Sequence, residues 1–298
     1  MSNPRLVSRL AAASIAVSIA VMGIKFVAWD LSGSVALYSD ALESIVNVIA
    51  ALIAWFAIRM SQKPADDTHQ FGHHKAEYFS AVFEGVLIVL AALLIFREAW
   101  MALGREHALA DPGPGMMVNA VAASINAVWA FILIKFGRQE KSPALTADGR
   151  HIYADVITSV GVLFGLLVTI ATGWIILDAL MAFIVGANVL WEGWRVISSS
   201  VNGLMDVSVD WKESALIEEI ILANATGAME AHDIRTRMAG PVTFIEFHLV
   251  VDGSMSVSRS HQICDHIEAE LRKAIPNART IIHVEPDHKL KDEGIAIS

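Results

Sequence analysis

The sequence predicts an all-α membrane bundle of six helices followed by a small α+β domain, and three observations predict it. Hydrophobic residues make up 55% of the 298-residue chain and charged residues only 18%, a balance unlike that of an ordinary soluble globule. The apolar residues come as long runs confined to the first two thirds of the chain. From about Asp206 onward the composition becomes that of a soluble domain. The expected divisions are 1–205 for the membrane part, 206–290 for the second domain and 291–298 for a tail.

A helix needs about 20 apolar residues to cross a hydrocarbon core of ~30 Å. Six stretches meet that requirement: Leu6–Trp29, Val35–Met60, Ala76–Leu103, Met116–Phe136, Ala144–Ala171 and Trp174–Ile197. They are separated by Leu31-Ser32-Gly33, the polar Ser61–Lys75 loop, the Pro/Gly-rich Asp111–Gly115 loop, Gly137–Pro143 and Thr172-Gly173. The first stretch, with Arg5 and Arg9, imitates a signal peptide. No small-residue cleavage site precedes a soluble domain, so it is expected to be retained. Basic residues sort the loops. Arg5, Arg9, Arg59, Lys63, Lys75, Lys135, Arg138, Lys141 and Arg195 fall on one side, and only Arg97 and Arg105 on the other. Both termini are therefore expected in the cytoplasm, with the bundle in the lipid bilayer of an inner (plasma) membrane.

The second domain reads αββαβ. Trp211–Asn224 has a helical pattern opened by Asp210, and Ala231–Met238 and Thr243–Val251 alternate as strands around Ala239-Gly240-Pro241. Ser256–Ala274 is an amphipathic helix and Arg279–Val284 a third strand. A two-layer domain of about 80 residues is small for its own core and could gain stability from a second copy.

Several functions are excluded. A net charge of −9 offers no basic stripe for nucleic acid. The single Cys264 allows neither an internal disulfide nor a cysteine-rich zinc module. No His-Glu-x-x-His run or other general-base arrangement points to a hydrolytic metalloenzyme, and the chain is not expected to be an enzyme.

Ionisable groups deep in a bilayer are costly and are functional candidates by default. Glu43 and Asn47 stand i, i+4 on the second span, and His151 and Asp155 stand i, i+4 on the fifth, each pair on one helical face. At ~1.5 Å per residue, Glu43 lies ~15 Å from the outer surface, while His151 and Asp155 lie ~12 and ~18 Å from the cytoplasmic one. Both pairs reach the midplane of a ~30 Å core. Together they would offer two carboxylates, an imidazole and an amide oxygen to a divalent ion. Two carboxylates and one divalent cation sum to zero charge, which lowers the cost of burial. When the ion leaves, protons are its natural replacement, because the same ligands must be deprotonated to bind metal. Lys25, Asp30, Glu84 and Asp178 read as snorkelling or structural charges. Asp40, one turn outward from Glu43, reads as lining an exit path.

The run from Ser32 through Asn47, the loop Pro64 through Glu77 with its Asp66-Asp67-Thr68-His69 and Phe71-Gly72-His73-His74 segments, and His151-x3-Asp155 resemble the cation diffusion facilitator family, in particular its bacterial zinc exporters. The resemblance runs nearly the whole chain, through His248 and Ile282-His283-Val284-Glu285-Pro286. It implies a homodimer of six-helix bundles, each joined to a metallochaperone-like cytoplasmic domain, that exchanges divalent metal for protons by alternating access. It implies a transport site at Glu43, Asn47, His151 and Asp155, although the zinc exporters carry Asp at both second-span positions. It further implies a loop site at Asp66, His69 and His73 and a cytoplasmic site at His232, His248, His261, His283 and Glu285, the last usually Asp. Lys75 and Asp206 match a charge pair that locks the protomers together near the membrane surface.

Oxygen and imidazole ligands without sulfur suit Zn²⁺, Fe²⁺, Co²⁺ or Mn²⁺, with Cd²⁺ a further candidate cargo, and a tetrahedral four-ligand site prefers zinc. Asn47 removes a negative charge, and the longer Glu43 could admit a larger ion. Zinc is the expected cargo, with manganese or iron behind it and protons as counter-substrate. The competing reading is a membrane metal sensor or scaffold that moves nothing and has no need of a midplane quartet.

Overall fold

The computed structural model describes residues 3–32, 35–102, 114–172, 176–291 and 294–297. The Asp111–Gly115 and Thr172-Gly173 separators fall partly outside these residues, as do Leu103, Trp174 and the Asp178 side chain. The chain divides into two compact units, one covering Asn3–Val201 and the other beginning at Asn202.

The first unit is built from six helices: α1 (Pro4–Ser32), α2 (Val35–Ser61), α3 (Ala76–Ala102), α4 (Pro114–Gln139), α5 (Pro143–Thr172) and α6 (Ile176–Leu204). Proline at the first position suits α1, α4 and α5, since its missing N–H would have no helical partner there. Asn3 caps α1 by accepting from the Leu6 N–H at 3.1 Å, and Ser142 caps α5 by accepting from Leu145 at 3.3 Å. Five helices are long and apolar enough to cross a membrane among the described residues: 4–31, 40–61, 76–101, 114–139 and 180–204. The predicted span on α5 is not among them. Its first half carries Asp148, Arg150 and Asp155, and the side chains of its apolar second half lie largely outside the described residues.

The bundle is apolar on its outside. Phe56, Phe79, Leu94, Phe131, Trp191 and Trp194 are exposed, while Lys25, Asn47, Glu84, Asp148, His151 and Asp155 are buried. This is the reverse of a soluble protein and fits lipid as the outer solvent. Small residues bring the helices close. A Cβ on Gly137 would stand 2.7 Å from the Thr146 backbone nitrogen, and one on Gly149 would stand 2.9 Å from that of Ile134. Glycines at both places let α4 and α5 approach backbone to backbone. That contact fixes the helix bearing His151 and Asp155.

The second unit contains α7 (Trp211–Asn224), β1 (Ala228–Ala239), β2 (Val242–Val251), α8 (Val257–Ala274), β3 (Ala278–Pro286) and β4 (Ile295–Ala296). Asp210 caps α7 through Lys212 and Glu213, and Ser256 caps α8 through Arg259. The sheet order is β3-β2-β1-β4; β2 pairs antiparallel to β1 and parallel to β3. The predicted αββαβ order therefore gains a short fourth strand from the tail, where Ala231 pairs with Ile295 and Glu230 with Ala296. Two residues gave too short a pattern to read as a strand.

Alternation positions the rest. Ile245, Phe247, Leu249 and Val251 on β2 pack with Ile217 and Ile221 of α7 and Ile263, Ile267 and Leu271 of α8. His248, between Phe247 and Leu249, must then face the side of the sheet away from the helices. Cys264 lies inside this core, as a small hydrophobe. Burial first, then the charges of Glu268 and Asp265, push its thiol above the usual range.

Candidate metal centres

Three groups of metal-binding side chains converge among the described residues. The first is inside the bundle. Oxygens of Asp40, Glu43 and Asp155 come within 4.8 Å of one another. Lys25 sits among them, 1% exposed, with its Nζ 3.0 Å from Asp40 Oδ1 and 3.0 and 2.9 Å from the two oxygens of Asp155. Asp155 Oδ2 also accepts from Asn126 Nδ2 at 2.8 Å. Ionised together, three carboxylates against one ammonium would carry two negative charges in excess, the charge of one divalent ion.

Of the two readings of Lys25, snorkelling or structural, the first does not hold: it is a fully buried cation on α1. Asp40 belongs to the centre itself, joined to Asp155 through Lys25. The predicted partners stand differently. Asn47 and His151 are buried, and Asn47 Oδ1 and His151 Nδ1 have no hydrogen-bond partner. His151 is not part of the converging triad. A buried, unbonded polar atom is costly; one turn from Glu43 and Asp155, the Asn47 oxygen, and the His151 Nδ1 in the tautomer that leaves it unprotonated, could each serve a cation. Glu84 fits the structural rather than the snorkelling reading: it is fully buried and accepts from Ser80 Oγ at 3.2 Å. Asp30 is exposed.

The second group is the loop between α2 and α3. His69 Nδ1 lies 3.6 Å from Asp66 Oδ1, His73 Nε2 lies 3.5 Å from Asp66 Oδ2, and the two rings are 4.3 Å apart. Asp66 Oδ1 accepts from Thr68 Oγ1 at 2.8 Å and from the N–H groups of Thr68 and His69 at 3.0 and 2.7 Å. The Thr68 hydroxyl, then the His69 N–H, hold its carboxyl down to about 2. The turn is thus fixed by one oxygen while the other faces His73.

The third group crosses the sheet. His232 pairs with His248 on β2, and His248 with His283 on β3, so register alone aligns three imidazoles. Their ring centroids are 5.2 and 5.0 Å apart. Glu285, two residues along β3 on the same face, lies 3.2, 3.5 and 3.7 Å from nitrogens of His232, His248 and His283. His232 Nδ1 is 2.8 Å from Glu230, the kind of outer carboxylate that orients a ligating imidazole. His232 Nε2 and His248 Nδ1 are buried without a hydrogen bond, and both face Glu285. A cation between them would satisfy all three.

His261 is not brought into this row. It lies on α8, its side chain 73% exposed, 3.6 Å from Asp265. The sequence missed Asp233, which has φ 51° at a register shift between His232 and Arg235. Such a bulge lets neighbouring residues serve one face, and Asp233 Oδ2 stands 3.9 Å from His248 Nδ1 and 2.7 Å from Lys291 Nζ. Asp206 lies 3.5 Å from Arg237 Nη1.

A legible signal existed for Lys25. It and Asp40 lie about equally far in sequence from the α1–α2 connection near Gly33. An antiparallel pair of helices brings opposite charges so placed to the same level.

Residues 11–205 match the cation efflux transmembrane domain, and residues 209–287 the cytoplasmic domain of cation efflux proteins. The chain is 39% identical over 282 residues to an uncharacterized transporter, sll1263, of Synechocystis, covering 95% of this chain and 91% of that one. It is 33% identical over 297 residues to the cation-efflux pump FieF of Escherichia coli, covering 98% of this chain and 97% of the pump. The solved metal-bound C-terminal domain of the CzcD transporter from Thermotoga maritima is 29% identical, covering 28% of this chain and 100% of that structure, with a TM-score of 0.25. The chain belongs to the cation efflux family, the cation diffusion facilitators, and is a membrane transporter of metal cations.

Proposed function

We propose that this chain exports a divalent transition-metal ion, zinc first, from the cytoplasm in exchange for protons by alternating access. The observation that carries the reading is the convergence of Asp40, Glu43 and buried Asp155 inside the bundle; when all three are ionised, their charge, offset by Lys25, matches one divalent cation. Asn47 Oδ1 and His151 Nδ1, buried without hydrogen bonds one turn from Glu43 and Asp155 in the chain, would add an amide oxygen and an imidazole nitrogen. The cargo binds to deprotonated carboxylates, and protons take its place as it leaves. A donor set of oxygen and imidazole without sulfur favours zinc over soft Cu(I), with manganese and iron next.

The six helices act as six spans with both termini in the cytoplasm, as the basic loops require. The protein works as a homodimer through its cytoplasmic domain, in which His232, His248, His283 and Glu285, with Asp233 at the edge, hold metal. Asp66, His69 and His73 form a second cytoplasmic site that gathers the ion at the loop. A sensor that moves nothing would need only these outer sites, not a charge-balanced triad in the bundle. The test is proton movement. Zinc added outside proteoliposomes with an acid lumen should discharge the pH difference, and a gradient that survives saturating zinc would remove the antiport reading.

A further inference from the structure

The ammonium of Lys25 occupies the same oxygens that a cargo ion needs. Both oxygens of Asp155 accept from it, at 3.0 and 2.9 Å, and Asp155 Oδ2 is further engaged by Asn126. Asp40 Oδ1 accepts from it at 3.0 Å, while Asp40 Oδ2 has no partner. A zinc–oxygen bond of about 2.0–2.2 Å requires a carboxylate lone pair pointed at the metal. Two cations cannot share Asp155 at such range without strong repulsion in a buried site.

We propose that Lys25 is a tethered cation that holds Asp155 and Asp40 whenever the divalent ion is absent and must yield Asp155 for the ion to bind. It thereby sets how tightly the bundle centre grips its cargo. The inference rests on the transport-site reading above. As the ion takes Asp155, Lys25 moves toward Asp40, whose Oδ2 has no hydrogen bond. Its part is to lower the affinity of a three-carboxylate site to a level from which the ion can leave.

The test uses the full-length protein carrying His73→Ala and His248→Ala, so that the bundle centre dominates binding. Zinc affinity is read by competition with a chromophoric chelator, and flux in proteoliposomes. Lys25→Met should lower both Kd and KM by about tenfold or more, the effect of removing one nearby like charge, and should lower the maximal rate as release slows. Asp40→Asn should weaken binding by a similar factor. The Lys25→Met/Asp40→Asn double variant removes one charge of each sign and should return Kd to near that of the background protein. A merely structural lysine would not give a lower KM together with a lower maximal rate.

Lys25→Met protein that elutes as folded and binds zinc no more tightly than the background overturns the proposal. If Lys25→Met alone does not fold, the comparison of Asp40→Asn with the double variant decides. Equal affinities in those two overturn it, and tighter binding by the double variant supports it. Asp155→Asn separates the two levels. If it leaves zinc binding intact, the transport site itself is wrong; if it abolishes binding while Lys25→Met changes nothing, only the role of Lys25 fails.

Discussion

Replacing His248 with Ala removes the middle imidazole of the row across β1, β2 and β3. Neighbouring strands lie about 4.8 Å apart, and the truncation takes away the imidazole between His232 and His283, leaving Glu285 to bridge them at 3.2 and 3.7 Å with one ligand fewer. The side chain is 34% exposed, so truncation should change the metal-free fold by no more than about 0.5 kcal/mol. The effect on metal is larger. A four-ligand structural zinc site supplies about 10–16 kcal/mol, so one ligand carries about 2.5–4 kcal/mol, a hundredfold or more in Kd. With zinc at about 100 times the native Kd, binding should protect the sheet against hydrogen exchange by about 2.7 kcal/mol, falling to about 0.4 kcal/mol after a hundredfold loss. Exchange mass spectrometry on peptides covering 228–251 and 278–286 reads this region separately from the bundle. Undiminished zinc protection of these peptides in His248→Ala would refute the assignment of the row as a metal centre.

Gly149→Ala places a Cβ 2.9 Å from the Ile134 backbone nitrogen; overpacking should cost about 1–3 kcal/mol, seen as a lower unfolding temperature in detergent. Asn47→Asp adds a carboxylate beside Glu43 and should shift preference among Zn²⁺, Mn²⁺, Fe²⁺, Co²⁺ and Cd²⁺ in a vesicle flux panel; an unchanged ranking removes Asn47 as a selectivity determinant. The Cys264 thiol is raised above its ordinary 9.0 by burial, so the fold favours its protonated form. That contribution is complete below the unfolded value and is lost as pH climbs through the higher folded one. Alkylation at pH 8 should therefore be slow in the native protein and fast in denaturant, with domain stability declining only at more alkaline pH.

Much of this architecture was legible in the chain because membrane helices and half-buried strands each impose a period on hydrophobicity. The first five helices begin and end within a few residues of the apolar runs, α6 runs on to Leu204 past the expected Ile197, and the sequence displays caps such as Ser142 on α5 and Asp210 on α7. The short β4 strand was not legible, since two residues carry no period. Depth counting brought Glu43 and Asp155 to one level, but it treats each helix alone. The pairing of Lys25 with Asp40 arises from two antiparallel helices meeting side by side, which single-helix depth does not contain. In the second unit, family resemblance named the histidines, yet only strand register explains why His232, His248 and His283 form a row while His261 stands on α8. Asp233 enters through a bulge at positive φ, a backbone event that its side chain does not announce.

Metal-for-proton exchange at Asp155 is tested most directly by zinc uptake into inside-out membrane vesicles with and without an imposed pH gradient. With an acid lumen, wild-type vesicles should accumulate zinc, collapsing the gradient should stop accumulation, and Asp155→Ala should show none. Accumulation that ignores the gradient, or that persists in Asp155→Ala, would contradict the exchange.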